Sequence, residues 1–211
     1  MSTHAQRERL LLADLLESAG PDAPTLCDGW RTRDLAAHVV VRERRSDVMG
    51  GVLVKALAPR MARVQAEYAA RPYDELLQLI RSGPPRLSPF ALKQVDEAAN
   101  TGEFFVHSED VRRAQPDWTP REIDPVFADA LWKRLESTAR ILARKTPVGL
   151  VLRRTNGQTA VAHKGAPVVT VVGEPGELLL FAFGRTSHAD VKTEGDKETI
   201  ARLLAAPMLG M

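Results

Sequence analysis

The sequence predicts an α+β protein: a helical bundle over residues 1–145, then a small α+β domain over residues 146–211. Three observations predict it. Apolar residues recur at helical spacing through the first two-thirds of the chain. At Thr146-Pro147 the texture changes to short β-branched runs, which suit strands. Asn156-Gly157 stands between two such runs, the dipeptide that favours a two-residue hairpin turn.

The elements follow in order. Residues 7–18 carry Leu10, Leu11, Ala13 and Leu15 among charges and read as an amphipathic helix stopped by Gly20-Pro21. Thr32 is the expected N-cap of a second helix, with Asp34 in its first turn. That helix is expected to run to about residue 49, where Gly50-Gly51 breaks it, and His38 falls on its apolar stripe between Leu35 and Val41. Residues 52–70 read as helix with Pro59 as a kink or break, and residues 73–80 as a short helix. Ser82-Gly83-Pro84-Pro85 is a turn. Residues 92–114 form a long helix, and residues 116–125 a Pro-rich connector. Residues 127–145 read as a further helix with Leu131, Leu135, Ile141 and Leu142 on one side.

In the second domain, residues 148–153, 159–163 and 168–172 read as strands. The apolar run over residues 177–183 fits either a strand or a buried helix; Gly184 as a C-terminal stop favours the helix. A strand over residues 189–193 and a last helix capped by Gly195-Asp196 complete the chain.

Composition narrows the function classes. Apolar content of 44% and charged content of 27% are ordinary for a globular protein. A net charge of +2, with basic residues spread out, gives no electrostatic footprint for nucleic acid. No apolar run is long enough to span a bilayer, and the N-terminus passes directly into a charged helix, so neither a membrane partner nor a signal peptide is expected. The single Cys27 excludes an internal disulfide and fits a reducing cytoplasm.

The chemistry concentrates in Glu103-Phe104-Phe105-Val106-His107. In a helix, residues four apart share a face about 6 Å apart along the axis. A carboxylate and an imidazole so placed supply two donors of a divalent metal site, and His38 is the candidate third. Two blander readings stand beside this one: an exposed i,i+4 contact, or a core histidine satisfied by a carboxylate. The apolar neighbours of Glu103 weigh against the first, since an ionised carboxylate among them needs a partner. Asp110 shares the face and suits either orientation of a ligand imidazole or proton transfer; its bland alternative is a solvated acid paired with Arg113. Cys27 could be a soft ligand but reads better as packing before Trp30. His4, His163 and His188 need no metal to explain them. No phosphate-binding glycine loop, nucleophile elbow, H-E-x-x-H or paired C-x-x-C is present.

Pro24-Thr25-Leu26-Cys27-Asp28-Gly29-Trp30 followed by Arg33-Asp34-Leu35-Ala36-Ala37-His38 resembles the second-helix signature of the mycothiol-dependent maleylpyruvate isomerases, which belong to the DinB-like superfamily. Glu103-Phe104-Phe105-Val106-His107-Ser108-Glu109-Asp110 resembles that family's second metal motif. The resemblance implies a DinB-like four-helix bundle followed by a small sterol-carrier-like α+β domain. It implies His38, Glu103 and His107 as ligands of zinc, with nickel as the alternative. Asp110 becomes the nearby catalytic or orienting acid. Arg185, after Gly176-Glu177-Leu178-Leu179-Leu180, would align with an arginine that serves thiol or substrate binding. The implied cosubstrate is mycothiol or another small thiol, the source actinobacterial and the assembly a homodimer. The expected activity is thiol-dependent S-transfer or isomerisation of a small electrophile. A non-catalytic metal, thiol or apolar-ligand binding module and a metal-dependent hydrolase are its rivals.

Overall fold

The structure is a computed structural model that describes residues 2–45, 47–48 and 57–206. The chain divides into two compact units, Met1–Trp118 and Thr119–Met211.

The regular elements among the described residues of the first unit are helices. Helix α1 (His4–Ala19) begins at Thr3, whose hydroxyl accepts the Gln6 amide while the Gln6 side chain accepts the Thr3 amide. It ends at Gly20, whose φ of 77° suits a residue without Cβ. Helix α2 (Thr32–Arg44) follows, then α3 (Ala58–Ala69), α4 (Tyr73–Ser82), a 3-10 turn at Pro89–Ala91 and the long α5 (Lys93–Arg112). Helix α1 packs on α5 and α4, and α2 packs on α3 and α4. Between them Leu12, Leu16, Leu35, Val39, Leu76, Ile80, Phe104 and Val111 form one buried core.

Three expected boundaries move. Arg31 rather than Thr32 is the N-cap of α2: the Asp34 carboxylate accepts the Arg31 amide at 2.9 Å, and the Thr32 hydroxyl donates instead to the Gly20 carbonyl. Helix α2 stops at Arg44, because Arg45 leaves helical geometry at φ −127° and ψ 51°. Of the kink or break expected at Pro59, the described residues show a helix start. The proline sits in the first turn of α3, where a missing amide hydrogen costs nothing. The expected break at Gly50-Gly51 and the stretch 52–56 lie outside the described residues.

A buried ion cluster crosses this unit. Arg9 donates to Glu43 at 2.6 Å and to Asp96 at 2.7 Å, with all three side chains nearly sealed from solvent. The guanidinium also stacks on the Phe104 ring, 4.9 Å from its centroid. Burial pushes the Glu43 carboxyl up, against the opposing pull of Arg9.

The second unit begins before residue 146. Helix α6 (Pro125–Leu142) was expected to belong to the domain ending at 145, but it packs on the sheet strand β2 and on α7, elements of the C-terminal half. The reason is its apolar face: Phe127, Leu131, Trp132, Leu135 and Ala139 are buried in that unit. Asp124 caps it, accepting the Phe127 amide at 3.0 Å, and Pro125 opens it. The strands are β1 (Gly149–Arg154), β2 (Thr159–His163), β3 (Val168–Gly173) and β4 (Lys192–Glu194), in the order β2-β1-β3-β4. Strand β1 runs antiparallel to β2 through the expected hairpin, parallel to β3, and β3 runs antiparallel to β4. The run after Pro175 is helix α7 (Pro175–Ala182), buried on all sides, which explains why it shows no polar face. Helix α8 (Lys197–Leu204) is capped by Asp196 and packs on β3. The α+β class is thus the one the sequence predicts. Among the described residues, no helix is long and apolar enough to cross a membrane.

Gly149 opens β1 at a point of close backbone approach. A Cβ there would press on the Gly165 carbonyl and lie 2.9 Å from Val168 Cγ2. Gly149→Ala is therefore expected to destabilise the second unit by about 1–3 kcal/mol through overpacking. A thermal or urea melt of the full chain checks it, and an unchanged midpoint would contradict the packing described.

Candidate metal centre

Two helices supply the centre. Helix α2 presents His38, and one turn later Arg42. Helix α5 presents Glu103, His107 and Asp110 along one face. One ligand atom from each of His38, Glu103 and His107 lies within 4.8 Å of the other two. His38 Nε2 is 3.8 Å from Glu103 Oε1, and His107 Nε2 is 3.4 Å from the same oxygen. The two imidazoles meet edge to face, with ring centroids 5.4 Å apart and planes at 75°. Trp30 packs on His38 from the other side at 5.1 Å.

Each group is held from behind. The Asp110 carboxylate is completely buried and accepts from His107 Nδ1 at 2.9 Å. That bond holds a proton on Nδ1 and turns Nε2 toward Glu103. Cys27 Sγ donates to the same Asp110 oxygen at 3.2 Å. Packing before Trp30 does describe Cys27, but its thiol also reaches the centre; Cys27, His107 and Asp110 form a second group of close donor atoms. Asp110 is not the solvated acid of the bland alternative. Arg113 binds Glu109 at 2.7 Å, both side chains fully buried.

The residues fit a divalent ion. Two imidazole nitrogens and one carboxylate oxygen are the borderline donors zinc-type ions take. His107 Nε2 is buried and has no hydrogen-bond partner, an expensive state for a polar atom unless something else occupies it. The side chains of His38 and Glu103 are 14% and 21% exposed, so the cluster is open on one side to a further ligand. Sequence reasoning missed Arg42, whose Nε is 3.2 Å from Glu103 Oε1. The signal was its spacing of four from His38, the same offset that singles out Glu103 and His107.

The electrostatics follow from this crowding. Burial pushes the His38 imidazolium down, aided by neighbouring His107 and Arg42 and opposed by Glu103. Burial also works to raise Glu103, but Arg42, His107 and His38 overcome it and hold the carboxyl well below the usual range. For His107 burial favours the neutral ring, yet Asp110, Cys27 and Glu103 outweigh it and raise the imidazolium well above its ordinary value.

Arg185 belongs to the second unit. It is buried there, after α7, and Nη1 donates to the Phe183 carbonyl at 2.6 Å. His163 ends β2 and His188 lies beside Ser187, both in that unit.

The family described as "Mycothiol maleylpyruvate isomerase N-terminal domain" matches residues 3–123. A crystal structure of a histidine-to-alanine mutant of the mycothiol-dependent maleylpyruvate isomerase is similar at a TM-score of 0.56 and 18% identity, covering 92% of this chain and 96% of that one. The crystal structure of the mycothiol-dependent maleylpyruvate isomerase itself gives a TM-score of 0.47 at the same identity and coverage. The first of these shows a shared fold. No curated protein matches the chain.

Two predictions follow from the geometry. His38→Ala and His107→Ala should each remove stoichiometric zinc binding, read by metal analysis after dialysis; retention of one ion per chain by either variant would place the ion elsewhere. The raised His107 sets the pH dependence. In the metal-free chain its stabilising contribution is fully present below its unfolded value of about 6.5 and is lost as pH rises through the higher folded value. An incoming ion must displace that proton, so zinc affinity should rise with pH through neutrality, and calorimetry in buffers of different ionisation enthalpy should count about one proton released per ion at pH 7.

Proposed function

We propose a function from one premise: the chain belongs to the family of the mycothiol maleylpyruvate isomerase N-terminal domain. Its activity is that of a thiol-dependent isomerase or S-transferase acting on a small electrophile. The supporting observation is the buried Nε2 of His107, which makes no hydrogen bond and lies 3.4 Å from Glu103, beside His38 on a partly open face. The cosubstrate is mycothiol or another low-molecular-weight thiol, the compound class in the family's name. The ion is zinc or, in second place, nickel, held by His38, Glu103 and His107. When bound, such an ion supplies the acidity that deprotonates a coordinated thiol near neutral pH.

The chain's own residues do the rest. Glu103 stays ionised, because Arg42 and the two imidazoles hold its carboxyl low. Asp110 keeps the His107 proton on Nδ1, so the ring offers Nε2 to the centre. Its complete burial and its bonds to His107 and Cys27 favour an orienting role over direct proton transfer to solvent. Trp30, against His38, excludes water from one side of the imidazole. The thiolate sulfur adds to an electrophilic carbon. In the isomerase outcome the new carbon–sulfur bond breaks again after rotation and the thiol returns. In the transferase outcome the bond persists and the thiol proton ends on the product. Arg185 is the proposed fork for a carboxylate of thiol or substrate.

The test is an assay of the zinc-loaded chain with a small thiol and a conjugated cis-alkene acid. Change of alkene geometry with total thiol constant identifies the isomerase; stoichiometric thiol loss identifies the transferase. His107→Ala should abolish either, and Asp110→Asn should lower kcat/KM about 10–100-fold. Arg185→Ala should raise KM for the carboxylate-bearing reactant with kcat less affected. Stoichiometric thiol binding without turnover across a panel of electrophiles would replace the enzyme with a binding module. Ester or amide cleavage without thiol would replace it with a hydrolase.

A further inference from the structure

Behind Glu103 lies a run of polar side chains that the ligand set does not account for. Arg42 Nε faces Glu103 Oε1 at 3.2 Å. Its Nη1 donates to Asn100 Oδ1 at 2.7 Å, and its Nη2 donates to the Ala99 carbonyl at 3.1 Å. The aliphatic and guanidinium body rests near Phe90, 5.5 Å from the ring centroid. Asn100, itself fully buried, donates through Nδ2 to Asp96 Oδ1 at 2.7 Å. Asp96 accepts from Arg9, which also binds Glu43, the residue after Arg42 on α2. Every edge of the Arg42 fork is therefore engaged, and the residue that fixes its orientation is fixed in turn.

This arrangement differs from that of a substrate-binding arginine, which keeps an edge of its fork open for an anion. It also differs from a surface ion pair, since the Arg42 side chain is only 14% exposed. A planar fork held on two edges can aim the third with little loss of freedom. Glu103 is the acid that its Nε faces among the described residues.

We infer that Arg42, braced by Asn100 and Asp96, is a positioning residue of the centre: it orients the Glu103 carboxylate toward His38 and His107. This rests on the proposed metal centre. Arg42 does not touch the reacting atoms and acts only through Glu103. Asn100 acts one step further back, by fixing the guanidinium plane.

The test is cobalt and zinc binding to the full chain, by competition with a chromophoric chelator, with the visible spectrum of the cobalt form as a second readout. Arg42→Met keeps side-chain length and removes every donor. It should weaken binding about 10–100-fold, the range for groups that orient metal ligands, and alter the cobalt bands as carboxylate ligation loosens. Arg42→Lys should recover only part of the affinity, because one ammonium cannot serve Glu103, Asn100 and Ala99 together. Asn100→Ala should shift affinity in the same direction by a smaller factor. It decides the matter if Arg42→Met fails to fold. Affinity and spectrum unchanged in folded Arg42→Met, or tighter binding, overturn the inference while leaving the metal centre standing. Unchanged affinity in Asn100→Ala, should it be the only folded variant, does the same. If the parent chain binds neither ion, the metal centre falls and this inference with it.

Discussion

Glu103 is a carboxylate held between two imidazoles in a helical core, and its ionisation is the constraint around which the first unit is arranged. An uncompensated charge there is not tolerable, so each neighbouring element supplies part of the compensation. Arg42 and His38 come from α2, and His107 from the next turn of α5. Behind them the polar contacts continue in both directions, through Asn100 to Asp96 and Arg9, and through Asp110 to Cys27. The apolar core of Leu12, Leu35, Phe104 and Val111 surrounds this seam. Half-satisfied polar networks are the weakest part of a core, and fully satisfied ones fix a single packing. The unsatisfied atoms that remain are therefore informative. Glu43 Oε2 ends the chain on one side; His107 Nε2 faces the centre itself.

Helix geometry explains how so few residues build the centre. An offset of four brings Glu103 beside His107 on α5, and the same offset brings His38 beside Arg42 on α2. Two such pairs facing across a helix contact put a carboxylate, a guanidinium and two imidazoles together from two helices. Sites on helices are more exact than sites on loops, because the backbone spacing is fixed before the side chains choose rotamers. The loop before α2 contributes support instead, through Trp30 on His38 and Cys27 on Asp110.

Much of this was legible in the sequence, and what was not has physical causes. The helices and strands were visible because their periodicities differ, and α7 was recognisable by Gly184 even though burial on all faces erased its polar stripe. Pro125, expected at the end of a connector, instead opens α6, and Pro59 lies in the first turn of α3. The assignment of α6 to the first domain failed because an apolar stripe names a face to be buried and not the partner that buries it. His38, Glu103, His107 and Asp110 were visible as helical offsets, and the structure brings them together. Arg42 shares the offset of four with His38, but what it and Asn100 face depends on the rotational phase of α2 against α5, which no single-helix pattern contains. Asp110 had two candidate partners at offset three; it bonds His107, and Arg113 also bonds Glu109.

Charge balance links the orienting arginine to the choice of reactant. Glu103 and Asp110 bring two negative charges to the centre, and Arg42 returns one positive charge, with both imidazoles counted neutral in the ligating state. The protein shell is therefore singly negative. A divalent ion seated in it leaves a single positive charge, which an anionic sulfur neutralises in a partly buried place where such neutralisation is worth more than in water. Without Arg42 the two carboxylates would already cancel the ion, and a thiol would have little reason to shed its proton there. On this reasoning the guanidinium does two things with one contact: it aims Glu103 at the imidazoles, and it leaves the centre one charge short of neutral. A thiolate or a hydroxide, each singly negative, would close that gap, so the charge count favours an anionic nucleophile at this centre and leaves the choice between thiol transfer and hydrolysis to the reactant.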